Sequence, residues 1–353
     1  MSKEMPEWLK RNYNGLWNRY GNGKFSFKKA EEDLGISRSM TIKTLWELEY
    51  RGFINKERSE VDYRARTYRL ISPEDINFVI GLYSLIEKEK LEKQSLMEKF
   101  VFIGEKLPYA ITGSHAAYHY HHYMNPPKVI DLKIEPLDEG KWIAFLTDEK
   151  TRVFLDDVIE TRKVTNYVKL MHSSRPVMTI RDRTNRGYYI EKPEFLIVEL
   201  LERQTQSSIS EAVAIIAFDK TDIMWSGSEG VVNIAKGSGI SRRLGFLIDA
   251  MNFESRRPVI GADVIKEIEK EVTGKSDEIF PSDEIFLPKY KELRNKLVHR
   301  SLLTNNELEE LERAKERFEG YKELSEKWGI QAILPRDVIR KVLDDLGVDL
   351  GKK

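Results

Sequence analysis

The stretch that most limits the fold runs from Ser26 to Ile71. Phe27, Ala30 and Leu34 fall on one helical face, and Gly35-Ile36-Ser37 interrupts that helix after its last turn. Ser37 is placed to cap a second helix, from about Arg38 to Tyr50. Its inward face is expected to be Ile42, Leu45, Trp46 and Leu48, and Gly52 is a left-handed stop. Beyond it, "FINKE" and "RARTYRLI" read as two short strands around a charged tip, "RSEVDY". Ala65, Thr67 and Arg69 alternate there with Arg66, Tyr68 and Leu70.

Helix, turn, helix and hairpin in this order is the winged helix-turn-helix pattern. An amphipathic helix over 6–20 precedes it, with Trp8, Leu9, Tyr13, Leu16, Trp17 and Tyr20 at helical spacing. In such a module the second helix enters the major groove and its first turns meet base edges. Those turns offer Arg38, Ser39, Thr41, Lys43 and Thr44. Arg reads guanine bidentately, while Ser and Thr reach bases or phosphates. Lys28 and Lys29 on the preceding helix, with Lys56, Arg58, Arg64 and Arg66 in the wing, suit phosphates. The expected partner is double-stranded DNA, an inverted repeat bound by a homodimer.

Charge fits a local footprint. The 353 residues hold 58 Lys+Arg and 58 Asp+Glu, so the chain as a whole is not basic. Residues 1–72 nevertheless carry 15 Lys/Arg against 10 acids, an excess of 5. Residues 162–186 carry seven against one, Asp182, an excess of 6. There are no cysteines, which removes disulfides, thiolate metal sites and cysteine nucleophiles. No apolar run approaches the roughly 18–20 residues that span a bilayer, and the charged start lacks a signal peptide's apolar core. The expectation is a cytoplasmic protein without a membrane partner.

Ser72-Pro73-Glu74-Asp75 opens a helix over 74–94, with a second reaching 106. The pattern then mixes. Helices are expected at 113–124, 151–160, 192–202 and 207–218, and strands at 129–134, 141–147 and 176–180. From 228 onward the chain reads as mostly helical. The fold class is therefore α+β, in four parts: a winged helix (1–72), linker helices (73–106), a mixed α/β domain (107–255) and a helical C-terminal region (256–353).

Residues 111–135 hold a Gly113-Ser114 turn, four of the six histidines and Asp131-Leu132-Lys133. Nucleotidyl transfer needs two carboxylates at i and i+2 on one strand to hold Mg²⁺. Lys133 stands where the second would be and cannot ligate a cation that takes oxygen. His115, His119 and His122 share a helical face but lack a fourth ligand or a His-Glu-x-x-His pattern. The expectation is a polar-aromatic helix packed on a sheet, with no metal, no cofactor and no catalysis.

Four segments in order, "YAITGSHAAYHYHHY", "VFLDDVIET", "GYYIEKPEFLIVELLE" and "GISRRLGFLIDAMN", resemble the AbiEi-type antitoxins and transcriptional regulators. The matching motifs are Gly113–Ala117, Pro193–Leu201 and Arg242–Leu247, and the likeness covers roughly 25–250. The resemblance implies a nucleotidyltransferase-like domain without the metal carboxylates, and an autorepressor of a toxin–antitoxin operon. Its toxin would be an AbiEii-like nucleotidyltransferase. "RPVMTIRDRTNRGYY", with Lys236 and Arg242, suggests a second basic surface of Arg181, Arg183, Arg186, Arg242 and Arg243, facing DNA, RNA or an acidic partner. A competing signal lies in "YKELRNKLVHRS": Arg294-Asn295 and His299 resemble the motif of HEPN ribonucleases, which cleave RNA by acid/base chemistry. A protein-interaction module without a nucleic-acid role is a third alternative.

Overall fold

The structure is a computed structural model. It describes residues 5–58, 66–85, 95–122, 128–155, 167–218, 222–255, 258–272, 305–329 and 336–350. The chain is a mixed α/β protein in two compact units, 1–112 with 127–191, and 113–126 with 192–353. These units cut across the expected central domain 107–255: its strands belong to the first unit and its later helices to the second.

The first unit opens with helix α1 (Glu7–Tyr20), strand β1 (Lys24–Ser26), helices α2 (Phe27–Leu34) and α3 (Arg38–Tyr50), and strands β2 (Ile54–Arg58) and β3 (Arg66–Leu70). The strands form an antiparallel sheet in the order β1-β3-β2. Leu9, Leu16, Phe25, Ala30, Leu48 and Ile54 fill the core beneath them. Tyr13 crosses that core, and its hydroxyl donates to the Ile71 carbonyl at 2.6 Å. Burial of the phenol raises its pKa above the ordinary tyrosine range.

Helices α4 (Pro73–Leu85) and α5 (Leu96–Ile103) lead to a six-stranded mixed sheet. Its strands are β4 (Tyr109–Thr112), β5 (Val129–Ile134), β6 (Arg152–Leu155), β7 (Tyr167–His172), β8 (Arg181–Arg183) and β9 (Tyr189–Glu191). Their order is β6-β7-β5-β4-β9-β8. β5 runs antiparallel to β4, while β6 and β7 are parallel to each other and β7 is parallel to β5.

Two expected strands are helices instead. Residues 139–148 form α7 (Glu139–Asp148), and residues 177–180 form a single turn, α8 (Val177–Ile180). Trp142 through Leu146 are all buried, so the apolar run carries no alternation, and such a run fits a buried helix as well as a strand. Conversely, the first part of the helix expected at 151–160 is strand β6, and 156–160 lies outside the described residues. Gly140 shows how closely α7 meets α4: a Cβ there would lie 2.0 Å from the Asp75 carboxylate. Glu139 is ion-paired with Arg69 of β3, and Lys141 lies 5.0 Å from the Phe78 ring centre.

The second unit is helical among its described residues: α6 (Gly113–His121), α9 (Pro193–Arg203), α10 (Gln206–Ala217), α11 (Val231–Gly237), α12 (Ser241–Glu254), α13 (Ala262–Glu271), α14 (Asn305–Trp328) and α15 (Arg336–Asp345). α9 and α10 are buried almost all round. Gly245 of α12 lets the Trp328 ring approach to 2.5 Å from where a Cβ would stand. Among the described residues no helix is long and apolar enough to cross a membrane.

Candidate nucleic-acid interface

α2 and α3 are set by their ends. The Ser26 hydroxyl accepts from the Lys29 amide and caps α2, and Gly35 closes it at φ 60 in the left-handed region. Two residues later Ser37 caps α3, accepting from the Met40 amide at 3.4 Å. The chain leaves α3 through Gly52 at φ 76. The bounds expected from the sequence hold here because each is fixed by a local side-chain or glycine signal.

The rotation of α3 differs from expectation. Its buried stripe is Thr41, Thr44, Leu45 and Leu48, spaced i, i+3, i+4, i+7. The Thr41 hydroxyl donates back to the Ser37 carbonyl at 3.2 Å, and Thr44 Oγ1 accepts from Asn12 Nδ2 at 3.0 Å. Both hydroxyls are satisfied inside, so the two threonines sit in the core and cannot reach a base. Ile42 and Trp46, expected inside, are exposed instead.

Arg38, Ser39 and Lys43 do face solvent. The Arg38 guanidinium lies 5.2 Å from the Phe27 ring centre and the Lys43 ammonium 5.3 Å from that of Trp8, contacts that orient both cations. Lys28 and Lys29 are exposed on α2, Lys28 facing Glu32 at 3.8 Å. Arg66 is exposed on β3. Lys56 points elsewhere: its ammonium holds both Glu49 oxygens, at 2.8 and 3.1 Å. The Arg58 side chain and the whole of Arg64 lie outside the described residues.

The five arginines of the expected second basic surface separate. Arg181, Arg183 and Arg186 belong to the first unit, Arg242 and Arg243 to the second. Arg181 is buried, donating to the carbonyls of Gly104 and Tyr109 at 3.0 and 3.4 Å, with the Tyr189 ring centre 3.7 Å away. Burial lowers its pKa, against an opposing pull from Tyr189 and Glu105. Arg243 is also buried and donates to the Leu201 carbonyl at 3.1 Å. Both are internal ties between backbone segments rather than surface cations. Arg183, Arg186 and Lys236 are exposed, and Arg242 is half-buried.

The sheet holds a polar cluster of another kind. Lys133 of β5 donates to Glu191 Oε1 at 2.6 Å, and the Thr112 hydroxyl donates to the other oxygen of the same carboxylate. Glu191 is fully buried and was not singled out from the sequence; its one signal is a carboxylate ending the apolar strand "YYI". Lys133 thus supplies, inside the sheet, the positive charge that this carboxylate needs. On α6, His121 is buried and its pKa is pushed down to about 4, first by burial and then by neighbouring His122. Among the described residues, no three His, Asp or Glu side chains come together to hold a metal ion. Arg294, Asn295 and His299 lie outside the described residues. No protein-family model, curated protein or solved structure matches the chain.

Proposed function

We propose that this chain is a DNA-binding transcriptional regulator whose N-terminal 72 residues act as a winged helix-turn-helix. One observation carries the reading: α3 follows a three-residue break, Gly35–Ser37, is capped by Ser37, and turns Arg38, Ser39 and Lys43 outward beside Lys28 and Lys29 of α2. A cationic helix start next to an antiparallel hairpin is what a major-groove reader presents. Arg38 and Lys43 are the groove residues, and Lys28, Lys29 and Arg66 the phosphate contacts.

The finer role rests on the likeness of residues 25–250 to AbiEi-type antitoxins. On that basis the chain represses its own operon as a homodimer on an inverted repeat, beside a nucleotidyltransferase toxin. The helical second unit is then a non-catalytic regulatory body.

Fluorescence anisotropy of the full chain on duplexes tiled across the region upstream of its coding sequence tests the first claim. Binding is expected to weaken with added salt. With three phosphate contacts per protomer, the log–log slope for a dimer is about −5. Arg38→Ala with Lys43→Ala is expected to lose about tenfold or more. A double variant that binds as the unaltered chain does would falsify the groove assignment.

A further inference from the structure

Ile42, Trp46 and Tyr50 remain 54%, 56% and 49% exposed on α3, among the largest apolar exposures in the described chain. They are spaced i, i+4, i+8, so they form one stripe along the helix. The stripe lies on the same side of α3 as Ser39 and Lys43, opposite Thr41, Thr44, Leu45 and Leu48. Large apolar side chains gathered on one exposed face mark a contact surface. We infer that Ile42 and Trp46 read thymine methyl groups in the major groove, so that the bound DNA site carries thymines at two nearby positions.

This inference rests on the DNA-binding reading proposed above, and the charges around the stripe favour a polyanion as its occupant. Arg38 and Lys43 flank its N-terminal half, with Lys28 and Lys29 on the adjoining helix. The acids near its far end are engaged: Glu47 with Arg51 at 3.0 Å, Glu49 with Lys56 at 2.8 Å. The C5 methyl of thymine is the one apolar group the major groove offers to such a side chain. Four residues advance a helix by about 6 Å. Successive base pairs are about 3.4 Å apart along one strand. Ile42 and Trp46 therefore meet bases roughly two steps apart.

Tyr50 positions Trp46 rather than reading a base. The two rings stack at 5.3 Å between centres and 12° between planes. The Lys150 ammonium lies 5.5 Å from the Tyr50 ring centre and holds the stack from the C-terminal end. An indole fixed this way loses little side-chain freedom when it meets DNA.

The test replaces every thymine of the bound duplex by uracil, which pairs identically and lacks only the methyl. Each buried methyl contributes about fourfold in affinity. The unaltered chain is expected to bind the thymine duplex about sixteenfold tighter than the uracil duplex, two methyls acting together. Ile42→Ala and Trp46→Ala are each expected to reduce that ratio to about fourfold, and together to remove it. Alanine is the best helix former, and both positions face solvent, so circular dichroism is expected to show intact variants.

Equal binding of thymine and uracil duplexes, with Arg38→Ala still weakening both, overturns the methyl reading and leaves DNA binding standing. No binding to any duplex overturns both. If Trp46→Ala lowers the mass by sedimentation and leaves the thymine preference unchanged, the stripe is an interface between copies of this chain and the inference fails.

Discussion

Arg38 of α3 and Arg181 of β8 are the same residue put to opposite uses. The first faces water over an aromatic ring and is free to meet a phosphate or a guanine. The second is buried, spends its donors on two backbone carbonyls and ties β4 to the segment after α5. The contrast holds across the first unit. The α2–α3 face presents Lys28, Lys29 and Lys43 to solvent, whereas the sheet keeps Lys133 against a buried carboxylate. A cation on the sheet is part of the folding free energy; a cation on α3 is available for binding.

The sharpest way to break this comparison is to remove a cation from each side. Lys133→Met leaves Glu191 buried without its ammonium, and breaking a buried pair at one partner costs about 3–5 kcal/mol. Urea denaturation should show that loss, and adding Glu191→Gln should recover most of it. Arg38→Ala, by contrast, should leave the unfolding free energy within about 0.5 kcal/mol of the parent. A Lys133→Met chain as stable as the parent would sink the assignment of this pair as an internal tie.

The second unit supplies a buried group whose charge state can be set by pH. Burial holds the folded-state pKa of His121 at about 4, below the ordinary histidine value of about 6.5. A depressed histidine is neutral when folded, so its contribution is complete above about 6.5 and is lost as pH falls toward about 4. A shift of this size corresponds to roughly 3 kcal/mol. Stability of the full chain should therefore fall between pH 6.5 and 4, and His121→Phe should flatten that part of the profile. His122 is exposed and is the smaller cause of the His121 shift, so the same substitution there should reduce the slope only slightly.

How much of this was legible in the sequence depends on what fixed each feature. The ends of α3 were readable because Ser37, Gly35 and Gly52 act locally, through a cap and left-handed turns. Strand β5 was readable at its full extent, 129–134. The rotation of α3 was not. Thr41 and Thr44 look like surface residues until Asn12, 32 positions before Thr44, satisfies one hydroxyl and the Ser37 carbonyl the other. Glu191 was missed for the same reason, since its partners Thr112 and Lys133 lie 79 and 58 residues away. Within "RDR", nothing local distinguishes the buried Arg181 from the exposed Arg183. Burial of a charge is decided by distant partners, so residue type alone assigned too many arginines to the surface.

A smaller effect separates two lysines of the proposed interface itself. Lys28 is largely exposed and faces Glu32 only at 3.8 Å, a surface pair of the kind that contributes little. Lys56 is held at 2.8 Å by a carboxylate of α3, and its side chain is only 25% exposed. To meet a phosphate Lys56 must leave Glu49, so its net gain from DNA is smaller. Lys28→Ala should reduce the salt slope of DNA binding by about one unit per protomer. Lys56→Ala should reduce it by clearly less, and should instead loosen the tie between α3 and β2. Equal slopes for the two variants would mean that the Glu49 pair opens on binding, and that the wing engages DNA with Lys56 released.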